Sequence, residues 1–274
     1  MESFEIPDDH KVLVATPNYT NLFSAEVHTN HVECGEMWGR GGINYNWTIV
    51  GRTFVHFART QLCQMAEDGD FTHILWLDDD AVIDPTILPR FLSHDKNVVI
   101  APYPMRKMPH EIGVLSAESG DFHDHASYKN MTVNDLDQGL IQVDGGGTHC
   151  MLVKTEVLRK KGPMAGMLGL EETKDASFQD EDMNGTPYFL MPKSGTEDML
   201  WCYRAKCKGI EVWCDTDVFA NHVGFAPVIT REWCEHVAEN AFVDLEEKRI
   251  RIVPGTQTYR DHMAVKRDSA TNLV

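Results

Sequence analysis

The chain has 274 residues, 42% hydrophobic and 24% charged, with a formal net charge of −17. That length suits one large α/β domain with its own core; the composition excludes global disorder, and the acidity excludes broad adhesion to nucleic acid or anionic lipid, which relies on a basic surface. No apolar run reaches the roughly 18 residues of a membrane helix, MESFEIPDDHK lacks the basic flank of an export signal, and seven cysteines without a CxxC pair read as reduced cytoplasmic thiols, not a zinc ribbon or disulfide framework.

In chain order, KVLVATP (11–17) reads as a buried strand ending in a Pro-Asn turn. IVGRTFVHFARTQLCQMAEDG reads as a helix with an apolar stripe of Ile49, Val50, Phe54, Phe57, Ala58, Leu62 and Met65, stopped at Gly69. HILWL is a second strand. Asp84 and Pro85 then suit the N-cap and first position of a helix over TILPRFLSHD, and NVVIAPY (97–103) is a third strand. This βαβαβ order predicts a mostly parallel sheet flanked by helices, with ligands at the carboxyl ends of its strands.

Residues 104–139 read as polar loops with an edge hairpin. LIQVDGGGTHCMLVKTEVLRKKG reads as strand, Gly-rich turn, strand and a helix closed by Gly162. Residues 163–195 form a polar, Met/Gly-rich loop suited to an active site. GTEDMLWCYRAKCKG is a helix capped by Thr196 and stopped at Gly209, IEVWCDTDVFANHVG is a strand leading to His222, and REWCEHVAENAF is a last helix before a polar tail. The short charge runs RKK (159–161) and EEKRIR (246–251), like the HDH cluster at 123–125, read as solvated faces, and Trp38, Trp47, Trp201, Met164 and Met167 as packing residues.

The chemistry concentrates in HILWLDDDAVIDP (73–85), where three aspartates follow a buried strand. Adjacent carboxylates repel and burial disfavours their ionisation, so either a divalent cation compensates them or the triplet is an acidic turn. Asp78 and Asp80 project to one side of extended chain, which lets one hold Mg²⁺ or Mn²⁺ while the other meets a ligand. An EF-hand is excluded by Val82 and Ile83. A phosphohydrolase of the haloacid dehalogenase class matches DxDxV, with Asp78 as nucleophile and Asp80 as acid/base, but no later GDxxxD-like motif accompanies it. Glu197 and Asp198 sit on a helix first turn, where carboxylates are favoured by the dipole alone and where Asp198 also suits a general base. His222, after a strand, suits a metal ligand or a satisfied structural histidine.

ATPNYT, FARTQL, ILWLDDDAVIDP, VDGGGTHCMLVKTEVL and GTEDMLWCYRAKCKGIEVWCDTDVFANHVG together resemble the GT-A fold glycosyltransferases related to family 2, particularly the compact forms of bacteria and their phages. The matching blocks lie between residues 11 and 224. The resemblance implies a Rossmann-like GT-A domain over 1–224, with 225–274 as a C-terminal helical extension and polar tail of the same domain. It implies a DxD motif with Mn²⁺ or Mg²⁺ on Asp80 and His222, and Asp78 near the ribose or sugar with Asp79 beside it on the donor side but turned from the metal. It places the nucleotide by Thr16, Pro17 and Tyr19, the diphosphate by Arg59, the donor sugar against the backbone at Gly146, and Asp198 with Glu197 on the acceptor side. The partners implied are a nucleoside diphosphate sugar and a hydroxyl-bearing acceptor (glycan, protein, small molecule or modified DNA base), in a host cytoplasm if the chain is viral. Inversion is the favoured outcome because an aspartate base is at hand. A noncatalytic nucleotide-sugar binding protein is a third reading. Thr60, where related proteins often carry Asn, and the acidic loop at 171–182 depart from the common pattern.

Overall fold

The computed structural model describes residues 4–107, 110–158, 188–192, 195–224, 228–244 and 249–252. The expected loop at 163–195 falls almost wholly outside them, as do Gly162, Met164, Met167, the RKK run, the acidic loop at 171–182 and part of EEKRIR.

The chain runs β1 (Val12–Asn18), α1 (Ala25–Arg40), β2 (Tyr45–Gly51), α2 (Val55–Asp68), β3 (His73–Leu77), β4 (Ala81–Val82), α3 (Ile87–Ser93) and β5 (Val98–Ile100). There follow β6 (Ile112–Ala117), β7 (Tyr128–Met131), β8 (Leu140–Val143), β9 (Gly145–Gly146), β10 (Cys150–Lys154) and α4 (Thr155–Leu158). The last elements are α5 (Glu197–Cys207), β11 (Val212–Asp215), β12 (Asn221–Val223), β13 (Val228–Ile229), α6 (Arg231–Asn240) and the paired strands β14 (Ala241–Asp244) and β15 (Arg249–Ile252).

A seven-stranded sheet in the order β2-β1-β3-β10-β5-β11-β8 forms the centre. β10 and β8 run against the other strands, so the sheet is mostly parallel, as expected. Successive side chains of a strand point to opposite faces, and each face is buried under helices. Leu13, Ala15, Ile74 and Trp76 pack with Leu62 and Cys63 of α2 and with Trp201 and Ala205 of α5. Val12, Val14, Leu75 and Leu77 pack with Cys34 and Trp38 of α1 and with Leu88, Phe91 and Leu92 of α3. Burial on both faces is why β1 and β3 read as unbroken apolar runs. The result is a Rossmann-like α/β architecture with helices on both sides.

Three parts of the chain differ from the sequence expectation. Ile49 and Val50 belong to β2, an edge strand parallel to β1, and the helix begins only at Val55. Phe54 and Met65, assigned to an apolar stripe, are exposed, while Arg59 and Thr60 are buried on the sheet side. The helix α1 has no counterpart in the sequence expectation. Its Val27, His31, Cys34 and Trp38 recur at helical spacing but are interrupted by enough polar residues to mask the stripe; Ser24 caps its N-terminus by accepting from Val27 N. The helix after Pro85 starts at Ile87, two residues later than expected, while the Asp84 carboxylate accepts from the backbone N and hydroxyl of Thr86 as a capping aspartate does.

The edge hairpin in 104–139 exists as β6 and β7, and β9 joins β6 on its other side. Gly209 adopts φ +76°, the left-handed geometry that ends α5. At the C-terminal side, Trp233 and Cys234 of α6 pack against Val133 and Phe219, and Arg231 pairs with Asp137.

His73, at the start of β3, carries a stability signature. Burial lowers its pKa to about 4, so it is neutral in the folded protein, whereas an unfolded-chain histidine titrates near about 6.5. Because the folded value is the lower one, acid favours the unfolded chain, and the loss grows as pH falls from about 6.5 towards about 4. Going from about pH 7 to pH 5 should cost about 1–2 kcal/mol through this residue. Urea unfolding of wild type and His73→Asn at both pH values checks it, and equal losses in the two proteins would refute the assignment.

Candidate metal centre and active site

The three aspartates leave the sheet at the carboxyl end of β3, beside β10 and β1. Asp78 N donates to His149 O at 3.1 Å, and Ala81 N to Asp78 O at 3.1 Å, so the triplet is a turn anchored at both ends. β10 runs antiparallel to β3 with Cys150 opposite Leu77, which sets His149 next to the triplet. β12 pairs with β4, placing His222 opposite Ala81, and Val223 N donates to Asp80 O at 2.8 Å. Two short strands thus carry His222 across some 140 residues of sequence to Asp80. From behind, Asn30 of α1 clamps Ile83 through two hydrogen bonds of 2.8 and 2.9 Å, and His31 Nε2 meets Ala81 O at 3.0 Å.

One ligand atom each from Asp80, His149 and His222 lies within 4.8 Å of the others. His149 Nδ1 is 3.5 Å from Asp80 Oδ1, and His222 Nε2 is 3.4 Å from Asp80 Oδ2. The remaining ring nitrogens face main-chain carbonyls: His149 Nε2 to Asn221 O at 3.1 Å, and His222 Nδ1 to Pro104 O at 2.9 Å. A carbonyl only accepts, so each of these nitrogens carries its proton, and the opposite nitrogen of each ring, Nδ1 of His149 and Nε2 of His222, is the one turned toward Asp80. That is the arrangement by which second partners orient metal-binding histidines. One carboxylate with two imidazoles suits Mn²⁺ well and Mg²⁺ less so, since Mg²⁺ prefers oxygen. The donor set therefore fits a divalent cation.

The charges point the same way. Burial works against ionised Asp80, but His149 and His222 outweigh it and hold its pKa below the usual carboxylate range. Burial also opposes a charged His149, and Asp78 and Asp80 overcome that, raising its pKa to about 9, so without a cation Nδ1 carries a proton whose place a bound metal would take. Asp79 contributes no atom to the cluster; burial and the repulsion of Asp80 and Asp78 push its pKa up to about 7.

Arg59 of α2 lies behind the triplet. Its Nη2 donates to Asp78 Oδ1 and its Nε to Glu197 Oε1, both at 3.1 Å, while Nη1 is buried and finds no hydrogen-bond partner. The side chain is only 4% exposed and packs near the rings of Trp76 and Phe189. Asp198 accepts from Thr148 N at 3.3 Å, from Met199 N at 2.8 Å and from the Thr196 hydroxyl. Thr148 directly precedes His149, so Asp198 is tied to the metal-site loop.

Asp80, His222, Asp78, Arg59, Glu197 and Asp198 are therefore brought together through His149 and Thr148. Thr16, Pro17 and Tyr19 lie at the end of the neighbouring strand: Thr16 is buried and accepts from Trp47 Nε1 at 3.0 Å, Pro17 is buried, and Tyr19 is exposed against Phe54. Gly146 is buried in β9, where an added Cβ would press on Gly113 O at 3.1 Å. At Gly147 it would run into Tyr103, whose ring packs 4.8 Å from that of His149 and 6.1 Å from that of His222. The consecutive glycines thus let the chain pass close to Tyr103, which flanks the two histidines, whose own rings lie 4.4 Å apart. Two residues of the site escaped the sequence reading: His149, quoted there only for its neighbouring glycines, and Arg106, whose guanidinium reaches Asp80 and His222.

No protein-family model matches the chain, and no curated protein matches it. Among solved structures it is similar to A197 from STIV, with 14% identity, coverage of 90% of this chain and 95% of that one, and a TM-score of 0.47. It is similar to GalNAc-T7 with UDP, GalNAc and Mn²⁺, at 11% identity and a TM-score of 0.41, covering 88% of this chain and 50% of that one. It is also similar to a glycosyltransferase involved in the glycosylation of the major capsid of PBCV-1, at 13% identity and a TM-score of 0.31, covering 83% of this chain and 99% of that one. No helix among the described residues is long and apolar enough to cross a membrane.

Proposed function

We propose that the protein is a metal-dependent glycosyltransferase that moves a sugar from a nucleoside diphosphate sugar to an acceptor hydroxyl. The observation that carries this is the Asp80, His149 and His222 triad at the carboxyl end of β3, with Nδ1 of His149 and Nε2 of His222 both turned to the carboxylate. A divalent cation held there, Mn²⁺ in preference to Mg²⁺, supplies Lewis acidity for the departing diphosphate.

The chain's own residues do the rest. Asp78, held by Arg59, presents its second oxygen to the donor's ribose or sugar. Glu197 fixes the other end of the same guanidinium and is a positioning residue. Asp198, one helical step on, accepts the proton of the acceptor hydroxyl as general base, which favours inversion by a single displacement. Thr16, Pro17 and Tyr19, with the β9 backbone at Gly146, frame the donor's nucleotide and sugar. The acceptor is a glycan, a protein, a small molecule or a modified base.

The phosphohydrolase reading needs Asp78 as nucleophile and lacks the later GDxxxD-like motif that would accompany it. Incubation with UDP-, GDP- and ADP-sugars and Mn²⁺ tests the proposal. Donor turnover is expected, falling about 10²–10⁴-fold in Asp198→Asn if the carboxylate is the base. Hydrolysis of simple phosphate esters with an aspartyl phosphate trapped at Asp78 overturns it, and donor binding with no turnover at all favours a noncatalytic binder.

A further inference from the structure

Arg106 stands in the segment after β5, held by main-chain bonds from Met105 N to Glu111 O and from Gly113 N to Tyr103 O, each 2.8 Å. Its Nη2 donates to Asp80 Oδ2, and its Nε donates to His222 Nε2 at 3.0 Å. One guanidinium thus sits on two of the three ligand atoms of the triad, on the lone pair that His222 would give to a cation. The two uses exclude each other, because a single imidazole lone pair serves either an N–H donor or a metal.

The two arginines of the site are differently built. Arg59 is locked between carboxylates and 4% exposed, whereas the Arg106 side chain is 48% exposed and stands at the mouth of the site. The buried arginine is poorly placed to meet an incoming diphosphate directly. The exposed one has the reach, the charge and the planar fork that suits phosphate oxygens.

We propose that Arg106 is a tethered cation that competes with the divalent ion for Asp80 and His222 and, once displaced, binds the diphosphate of the donor. Entry of the ion therefore frees the guanidinium at the moment and place a phosphate ligand needs it, coupling the two binding events. The competition depends only on the triad as a metal site; the phosphate role rests on the transferase reading.

Manganese binding without sugar donor separates these parts. The full-length wild type, Arg106→Ala and Asp80→Asn are titrated with Mn²⁺ alone, reading free Mn²⁺ by electron paramagnetic resonance, and then with inorganic pyrophosphate at saturating Mn²⁺. Loss of a half-exposed competing contact should make Arg106→Ala bind Mn²⁺ about fivefold tighter. The same variant should bind Mn²⁺-pyrophosphate about tenfold more weakly than wild type, the loss of a charge-assisted pair. Equal or weaker Mn²⁺ binding by Arg106→Ala overturns the competition, and unchanged pyrophosphate affinity overturns the phosphate role. Asp80→Asn should lose Mn²⁺ binding; if it binds like wild type, it is the metal-centre reading that fails, separately from Arg106.

Discussion

Asp80→Asn is expected to lower Mn²⁺ affinity by at least about 100-fold, since even partners one step removed from a metal are worth about 10–100-fold, and to reduce donor turnover by about 10²–10³-fold. The carboxylate stands between His149 and His222, with one oxygen facing each ring. Asparagine keeps its shape and removes its charge, so the two histidines are left to hold the ion through neutral nitrogens alone. Folding should survive: the hydrogen bond from Val223 N goes to the main-chain oxygen of Asp80, not its side chain. Loss of one negative charge relieves part of the repulsion on Asp79 but removes a partner of buried His149, so urea unfolding should show a stability loss of about 1–3 kcal/mol. Calorimetric titration with Mn²⁺, alongside donor turnover, measures the effect. His149→Ala and His222→Ala should each weaken Mn²⁺ binding in the same assay. Wild-type Mn²⁺ affinity in Asp80→Asn would remove the metal centre from the proposed mechanism.

How much of this site is legible in sequence depends on whether the information is local. The triplet is legible because a carboxylate run after an apolar strand violates the usual agreement between burial and polarity. His222 is legible as a histidine ending a strand, though not its pairing with Ala81, which is a property of the β4–β12 register. His149 is not, because nothing in GGGTHCMLV says that β10 will insert antiparallel between β3 and β5 and so bring its first residues to Asp78. Arg59 is legible as a basic residue ahead of the aspartates, but not its burial: on a helix an arginine ordinarily marks a solvated face, and here Glu197 arrives from 138 residues away to compensate it. For the fold, β1 and β3 are plain in the sequence because two-sided burial demands continuous apolar residues. β2 is not, since an edge strand half exposed on both sides, with polar Asn46 and Thr48 between aromatic and aliphatic neighbours, carries no such run.

Arg59→Met should destabilise the protein by about 3–5 kcal/mol, the range for removing one partner of a buried ion pair. The substitution keeps the aliphatic bulk near Trp76 and Phe189, so lost packing is a small part of the effect. Its cost comes from Glu197, a buried carboxylate whose pKa is already raised because desolvation outweighs the compensation by Arg59. With the guanidinium gone, that carboxyl must bind a proton or pull water into the sheet–helix interface. Asp78 loses its anchor as well, which ties stability to function: donor affinity should fall even where the protein is kept folded at low temperature. The double variant Arg59→Met/Glu197→Gln removes the uncompensated charge and should recover more than about 1 kcal/mol of the loss, a coupling of the size found between contacting charged residues. It should not recover donor affinity, because Asp78 still lacks its partner. Urea unfolding of the four members of this cycle, with donor binding measured on each, separates the roles. Additive stability losses would show that Arg59 and Glu197 do not compensate each other, and full donor affinity in the double variant would show that Asp78 needs no arginine to hold it.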